Sequence, residues 1–228
     1  MTEDIASRTP DRWRGLARTT GILALVAVVV LFAPTIAISS LGEPQFDATA
    51  EEAAAFFRNA DTAWVVAAQA TAAAAALVFL WFVVAFTTLL RRVESEPAWR
   101  STAALASGVL ASASGVANVS WDAASNRGDG IDPGLAAFAF DLGNLGFANA
   151  WLAFGSFAIA SGWVLVASRA LPAWWGWWAI VSGIGLIAVR YVWESWVWIV
   201  PFFVFWVWVI ALAIRLIVRP TLDVGRRA

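Results

Sequence analysis

The segment from residue 171 to residue 218 is a nearly continuous run of apolar side chains, and it constrains the fold more than any other part of the chain. As one helix it would be roughly 70 Å long at about 1.5 Å per residue, more than twice the ~30 Å of a hydrocarbon core. The chain must therefore turn back within this segment. The motif RYVWES at 190–195 is the polar place for a turn, so we predict a tight hairpin there, flanked by Arg190 and Glu194.

The composition agrees with a membrane protein and excludes most catalytic chemistry. Hydrophobic residues make up 61% of the chain and charged residues 14%, whereas a soluble domain has about a quarter of its residues charged. The chain contains no Cys, His or Lys, which removes thiolates, Schiff-base lysines and the usual ligands of zinc, copper and haem. We therefore predict no metal site, no cofactor and no catalytic residues. A catalytic function would be restricted to carboxylate, Ser or Tyr chemistry. We rank it third, after ligand binding or transport and after a role as an accessory subunit.

Apolar runs long enough to cross a bilayer as helices occur six times along the chain. The predicted spans are 19–40, 62–90, 101–121, 135–168, 172–190 and 195–218. Residues 1–228 are thus predicted to form one all-α, polytopic membrane domain. Arg58, Arg127 and Arg190 fall on one side of it, opposite the other twelve of the fifteen arginines. This asymmetry predicts that both termini lie in the cytoplasm.

Local signals predict where several helices begin. In the segment 47–62, Thr49 and Glu52 form a capping-box pattern before a short amphipathic stretch. We interpret this stretch as a helix lying on the outer membrane surface. In IDPG, Asp132 is predicted to cap the fourth span. That span would be about 54 Å long, so it either projects from the membrane or breaks near FDLGNLGFAN at 140–149.

The third predicted span carries small residues at helical spacing. Ala104, Gly108, Ser112 and Gly115 form a face on which another helix can approach closely. Helix packing is the first interpretation. The alternative is that this thin helix leaves room for a flat ligand beside it.

Polar residues of the third span, the fourth span and the 190–195 turn are predicted to converge at the outer leaflet. The candidate ligand-binding residues are Asn118, Asp122, Asp141, Asn144, Asn149, Arg190, Tyr191 and Glu194. An ionisable group within a span is a site hypothesis, which makes a buried Asp141 the centre of this prediction. The alternative is that the carboxylates are interfacial or cap helices. Arg190 could pair with Asp141 or, at i, i+4 spacing, with Glu194.

Aromatic residues of the sixth span supply a second set of candidates. They cover more than one face, so they could face lipid, pack in the bundle or line a slot for a hydrophobic ligand. The candidate lining residues are Trp198, Phe202, Phe205 and Trp206.

Three motifs carry a resemblance to known proteins. They are LGEP followed by FD in the first outer loop, LLRRVE in the first inner turn and LPAWWGW at the start of the fifth span. With six spans, the chain resembles a family of integral membrane proteins common in high-GC bacteria. The resemblance is architectural, and it implies a plasma-membrane location and no particular activity.

These features lead us to expect one of two alternative functions. The first is a non-catalytic protein of the lipid bilayer that binds or transports a hydrophobic or amphipathic small molecule, such as an isoprenoid, a sterol-like molecule or a lipid. Its pocket would open outward between the third, fourth and sixth spans. The second is an accessory or structural subunit in a homo-oligomer or membrane complex. No nucleic-acid partner is expected.

Overall fold

The structure, a computed structural model, describes residues 3–60, 62–117 and 119–222. This part of the chain is helical and contains no β-strand. The helices are α1 (Glu3–Ser39), α2 (Ala50–Asn59), α3 (Ala63–Val93), α4 (Trp99–Ala117), α5 (Ser120–Ser125), α6 (Pro133–Ser168), α7 (Ala173–Val189) and α8 (Ile199–Val218). Short 3₁₀ turns occur at Gly128–Gly130, Arg190–Val192 and Trp196–Trp198.

Six stretches of the described chain are long and apolar enough to cross a membrane, as the sequence predicts. They are Asp11–Ser39, Ala63–Val93, Trp99–Ser125, Pro133–Ser168, Ala173–Val192 and Trp196–Val218. Each span differs from its predicted bounds by a few residues, and the differences are largest in the first and third spans. The first helix begins at Glu3, because the arginine-rich segment before the apolar run is also helical. The third span ends its long helix at Ala117, and Val119 leaves helical geometry before α5.

The six long helices form a closed ring in which chain neighbours pack together and α8 returns to α1. A Cβ on Gly21 of α1 would lie 2.5 Å from the carbonyl oxygen of Ala213 near the end of α8. Further along, Phe32 of α1 meets Trp206 of α8 with ring centroids 5.5 Å apart. The start of α1 therefore lies beside the end of α8, at what we call the terminal end. The opposite end, which carries α2 and α5, is the capped end.

The predicted hairpin lies between α7 and α8. Two indole N–H groups join these helices: Trp178 Nε1 donates to Val204 O at 3.1 Å, and Trp208 Nε1 donates to Trp175 O at 3.1 Å. The chain reverses through the 3₁₀ turns at Arg190–Val192 and Trp196–Trp198. Pro201 stands in the first turn of α8, where a missing N–H costs no helical hydrogen bond.

Helices α6 and α7 make close backbone contact through two pairs of glycines. A Cβ on Gly162 would lie 2.5 Å from the carbonyl oxygen of Gly176, and a Cβ on Gly183 would lie 2.5 Å from that of Gly155. Any side chain larger than hydrogen would force the two backbones apart. Small residues at these positions allow the tightest kind of helix packing in membranes.

Helix α6 is unbroken from Pro133 to Ser168, so the predicted break near 140–149 is wrong and projection from the membrane stays a prediction. The Asp132 carboxylate caps it, accepting from the N–H groups of Gly134 at 2.9 Å and Leu135 at 3.2 Å. At the level of the α7–α8 hairpin, Arg190 Nε donates to Asn149 Oδ1 at 2.7 Å. The residues of α6 before Asn149 thus extend about 24 Å beyond the hairpin at about 1.5 Å per residue.

The extended part of α6 supports α2 and α5 in a second hydrophobic cluster at the capped end. The predicted capping box is present, since Thr49 N donates to Glu52 Oε2 at 2.8 Å and Glu52 N donates to Thr49 Oγ1 at 3.3 Å. Phe56 packs edge-on against Trp121, whose ring stacks on Phe140 of α6 at 5.4 Å. The apolar face of α2 is therefore covered by protein.

Candidate functional site

A half-open cavity of about 320 Å³ lies between the helices of the bundle. Its wall is formed by α1, α3, α4, α6 and α8, and it is completed at the capped end by α5 and by Glu43 in the loop after α1. Along α1 the lining runs from Ala27 to Ser39, which is about 18 Å at about 1.5 Å per residue. The cavity is thus a long, narrow space between the middle of the bundle and the capped end.

Small side chains on two helices make room for this space. Helix α3 contributes alanines and α4 contributes Ser112 and Gly115; the alanines of α3 are Ala72, Ala73, Ala75 and Ala76. One turn further from the capped end the same face of α4 is closed, because a Cβ on Gly108 would overlap the side chain of Val83 on α3. The predicted small-residue face therefore packs against α3 at Gly108 and at Gly115, where an added Cβ would lie 2.9 Å from Ala76 Cβ, and it lines the cavity at Ser112 and at the edge of Gly115.

The inner part of the cavity is aromatic. Trp206 of α8 meets Phe79 of α3 with ring centroids 5.9 Å apart and Phe154 of α6 with centroids 5.6 Å apart, both edge to face. This geometry is the favourable one for aromatic pairs. The three rings form an apolar floor that keeps the surrounding helices apart.

The part nearest the capped end is polar. Glu43, Gln69, Asp122 and Asn144 all line it, and each belongs to a different element. Gln69 Nε2 donates to Ser125 Oγ at 3.3 Å. The cavity is therefore amphipathic along its length, polar toward the capped end and aromatic toward the middle of the bundle.

Glu43 lies between two spaces. It also lines a shallower pocket of about 440 Å³, formed with the rest of the α1–α2 loop and α2. The side chain keeps contact with solvent there, yet the protein around it excludes enough water to raise the pKa of its carboxyl above 4.5. The Ser39 hydroxyl, which donates to Glu43 Oε2 at 3.0 Å, opposes this shift without cancelling it.

Two buried polar groups in the cavity wall have no hydrogen-bond partner among the described residues. They are the amide Nδ2 of Asn144, a residue 5% exposed, and the indole Nε1 of Trp206, a residue 2% exposed. A buried donor without a partner costs about 1–3 kcal/mol, and native proteins satisfy the great majority of such groups. Both residues line the cavity, and the two nitrogen atoms themselves are covered by protein.

The structure brings together only some of the residues that the sequence nominated. The candidates that line the cavity are Asp122, Asn144, Phe202 and Trp206. Those with exposed side chains away from it are Asp141, Asn149, Tyr191 and Glu194. Asn118 lies outside the described residues.

The remaining candidates have structural contacts. Arg190 binds Asn149, and within the described chain it forms no ion pair with Asp141 or Glu194. Phe205 is fully buried behind the wall, where its ring lies 5.2 Å from that of Trp206. Trp198 stacks on Trp151 at 5.4 Å. The turn between the fifth and sixth spans therefore makes structural contacts and does not line the cavity. Residues of α1 and α3 line the cavity instead.

Sequence reasoning missed Glu43, Gln69 and the alanine wall of α3. A signal was present in AAQATAAAAA at 67–76, where a single amide interrupts the smallest side chains of any span. Small side chains leave room beside such a helix, and the amide places a polar group next to that room. This pattern is typical of a helix that lines a ligand cavity.

Within the described chain, no group of three or more Asp or Glu residues has the geometry to hold a metal ion. Comparison with protein-family models, curated proteins and solved structures gave no match to this chain. The case for a function therefore rests on the cavity and its side chains.

Proposed function

We propose that this protein is a non-catalytic membrane protein that binds, and in doing so carries, a small amphipathic molecule in the cavity. The observation that supports this most is the amphipathic wall of the cavity, with polar side chains toward the capped end and aromatic rings toward the middle of the bundle. A ligand with a polar head and an apolar tail satisfies both parts of such a wall.

The size of the cavity limits the ligand. A volume of about 320 Å³ is that of roughly ten water molecules at about 30 Å³ each, and it lies at the lower end of small-ligand pockets. A single alkyl chain with a small head fits inside it. A complete sterol or a long isoprenoid would extend beyond the enclosed part.

The orientation of the ligand follows from the polarity of the wall. The head lies at the capped end near Asn144 and Gln69, and the tail lies against Phe79, Phe154 and Trp206. Each buried methylene contributes about 0.8 kcal/mol, so a tail of six contributes about 5 kcal/mol before the loss of freedom on binding.

A matched pair of variants tests the proposal. Ala73 lines the cavity, whereas its neighbour Ala74 is exposed on the outer surface of α3. Wild type, Ala73→Phe and Ala74→Phe are purified in mild detergent, extracted with organic solvent and compared by mass spectrometry. We expect a stoichiometric amphiphile in wild type and Ala74→Phe and its loss from Ala73→Phe. A ligand-free wild type, or equal retention in all three, contradicts the proposal, and a co-purifying protein would support the accessory-subunit alternative.

We further propose that the capped end faces the outside of the cell. Arg58, Arg127 and Arg190 belong to that end, and a larger group, Arg91, Arg92, Arg100, Arg169, Arg215 and Arg219, belongs to the terminal end. The excess agrees with cytoplasmic arginine. Because the chain has no cysteine, single substitutions test this directly. A membrane-impermeant maleimide should label Asn126→Cys on intact cells and spare Ser95→Cys; the reverse pattern would invert the orientation.

A further inference from the structure

We infer, building on the proposed function, that the ligand enters the cavity sideways from the lipid, through an opening between α3 and α4. The amphiphile is then a molecule dissolved in the membrane leaflet nearer the capped end. The inference rests on where the cavity wall reaches the surface, on the polarity of that edge and on its depth along the helices.

The cavity wall reaches the surface at the end of α4 and just after it. Val116 and Val119 line the cavity, yet they are 46% and 55% exposed. Helices α3 and α4 run antiparallel, and the register that pairs Gly115 with Ala76 puts Val119 level with Ala72. Ala72 also lines the cavity and is only half-buried. Residues that form both the cavity wall and the outer surface border an opening, which we call the window.

Contacts close the window at both ends. On the side of the terminal end, a Cβ on Gly115 would lie 2.9 Å from Ala76 Cβ, so α3 and α4 touch there. On the side of the capped end, Gln69 Nε2 donates to Ser125 Oγ at 3.3 Å and joins α3 to the end of α5. From Ala76 to Gln69 the helix rises about 10 Å at about 1.5 Å per residue. An alkyl chain between two walls needs about 7–8 Å between atom centres, because carbon atoms touch at about 3.5–4.0 Å. The window is therefore tall enough for one chain.

The edge of the window is apolar and lies at the depth of the lipid. Alanine side chains of α3 and valine side chains of the α4 end form it. Measured from arginines near the terminal end, Ala72 lies about 28 Å from Arg91 along α3, and Val116 lies about 24 Å from Arg100 along α4, at about 1.5 Å per residue. Both distances fall within the ~30 Å of a hydrocarbon core. An exposed valine at this depth faces acyl chains.

A second edge of the cavity is polar. Thr35, Ser39 and Glu43 follow one another at four-residue spacing along α1 and the loop after it, and all three line the cavity and are exposed. An apolar tail that crossed this edge would pass through water and solvated groups, which is unfavourable. At the window the tail stays among side chains that are as apolar as lipid. The window is therefore the entrance that we assign, and the polar edge is the alternative that the experiment separates from it.

Two tryptophan variants on one face of α4 test the window. Val116 is at its edge, whereas Val109 lies two turns away, is also exposed and does not line the cavity. Ligand-free wild type, Val116→Trp and Val109→Trp are placed in nanodiscs of a neutral phosphatidylcholine. Uptake of dodecatetraenol, a slender fluorescent alcohol, is followed by stopped flow, and its release is followed after an excess of dodecanol is added. We expect Val116→Trp to slow uptake and release together by about tenfold or more, with little change in affinity, and Val109→Trp to match wild type.

Ser125→Ala tests the window in the opposite direction. It removes the hydroxyl that accepts from Gln69, and Ser125 itself does not line the cavity. We expect uptake and release both to become faster, by about three- to tenfold. Ser107→Ala is the matched control, because it breaks a hydroxyl hydrogen bond between α4 and Ser156 of α6 away from the cavity. Melting temperatures are measured in parallel, and if Val116→Trp fails to fold, Ser125→Ala decides.

The outcomes separate the entrance from the proposed function. If Val116→Trp and Ser125→Ala exchange the probe as fast as wild type, and Ala73→Phe abolishes binding, the window is overturned while the cavity remains a ligand site. Slower exchange in Glu43→Trp, with wild-type rates in Val116→Trp, would overturn the window in favour of the polar edge. If wild type shows no binding that Ala73→Phe removes, the proposed function fails and the window fails with it.

Discussion

The interface between α6 and α7 and the cavity between α1, α3 and α4 are both built from small residues, yet one is closed and the other is open. At the first, glycine faces glycine, and the backbones of Gly162 and Gly176 touch. At the second, alanines of α3 lie beside the rings of Phe79 and Trp206, which hold the neighbouring helices apart. A small-residue face therefore gives close packing or a cavity according to whether the next layer is small or aromatic.

The closed interface should tolerate the least change. Gly162→Ala would place a Cβ 2.5 Å from Gly176 O, and overpacking of this kind costs about 1–3 kcal/mol or more. We expect the largest fall in melting temperature among the variants considered. Gly15→Ala is the control, since no atom lies within 4 Å of its added Cβ. Equal effects of the two substitutions would contradict the packing difference.

Two neighbouring tryptophans of α8 compare a satisfied with an unsatisfied indole. Trp208 Nε1 donates to Trp175 O at 3.1 Å, whereas Trp206 Nε1 has no partner in the described chain. Trp208→Phe removes this buried hydrogen bond and leaves Trp175 O with its acceptor role in the helix alone, so it should destabilise the ligand-free protein by about 0.5–1.5 kcal/mol. Trp206→Phe removes an unmet donor and should have little effect or stabilise. Thermal unfolding of both variants, with ligand extracted, measures the difference.

The open region should accept added volume. In Ala73→Phe the new ring enters space that is empty of protein, so we expect no loss of stability, and any gain comes from van der Waals contacts between the ring and the wall. This contrasts with Gly162→Ala, which adds only one methyl group to the closed interface. A melting temperature for Ala73→Phe well below that of Ala74→Phe would show that the space is too narrow.

The smallest effects concern two glutamates at the capped end. Burial raises the pKa of Glu43, so the folded protein holds its proton more tightly than the unfolded chain does, and stability falls as pH rises from 4.5 through the raised pKa. Hydrogen bonds from Thr49 lower the pKa of Glu52, so its contribution is present above 4.5 and is lost as pH falls through the lowered pKa.

Melting curves between pH 3 and pH 7 compare these two groups. Glu43→Gln should flatten the decline above 4.5, and Glu52→Gln should flatten the loss below it. Parallel curves for wild type and Glu43→Gln would remove Glu43 from the cavity argument.

The sequence was sufficient for features that depend on one helix at a time. The six spans follow from apolar run length, the 190–195 hairpin from the length limit, and the caps at Thr49 and Asp132 from local chemistry. Which helices surround a space depends on how the ring closes, and no local pattern encodes that α8 returns to α1. Hence Glu43 and Gln69 were missed.

Asp141 and Asn144 show the same limit within one helix. They are three residues apart on α6, so the sequence predicts that both lie at a similar depth in the membrane and on the same face of the helix. In the structure Asn144 is buried in the wall while Asp141 is exposed. Which of the two is enclosed depends on where the neighbouring helices and α5 end, and that is a property of the assembled bundle.

The height of α6 above the α7–α8 hairpin has a consequence for how the molecule is held together. A helix of about 54 Å cannot be hidden in about 30 Å of hydrocarbon, so we expect its first turns, with α2 and α5 packed on them, to stand in water. There the rings of Phe56 and Phe57 associate because water drives them together, a force absent among lipid tails. Cooling should accordingly loosen this small dome before it disturbs the helices embedded beneath it.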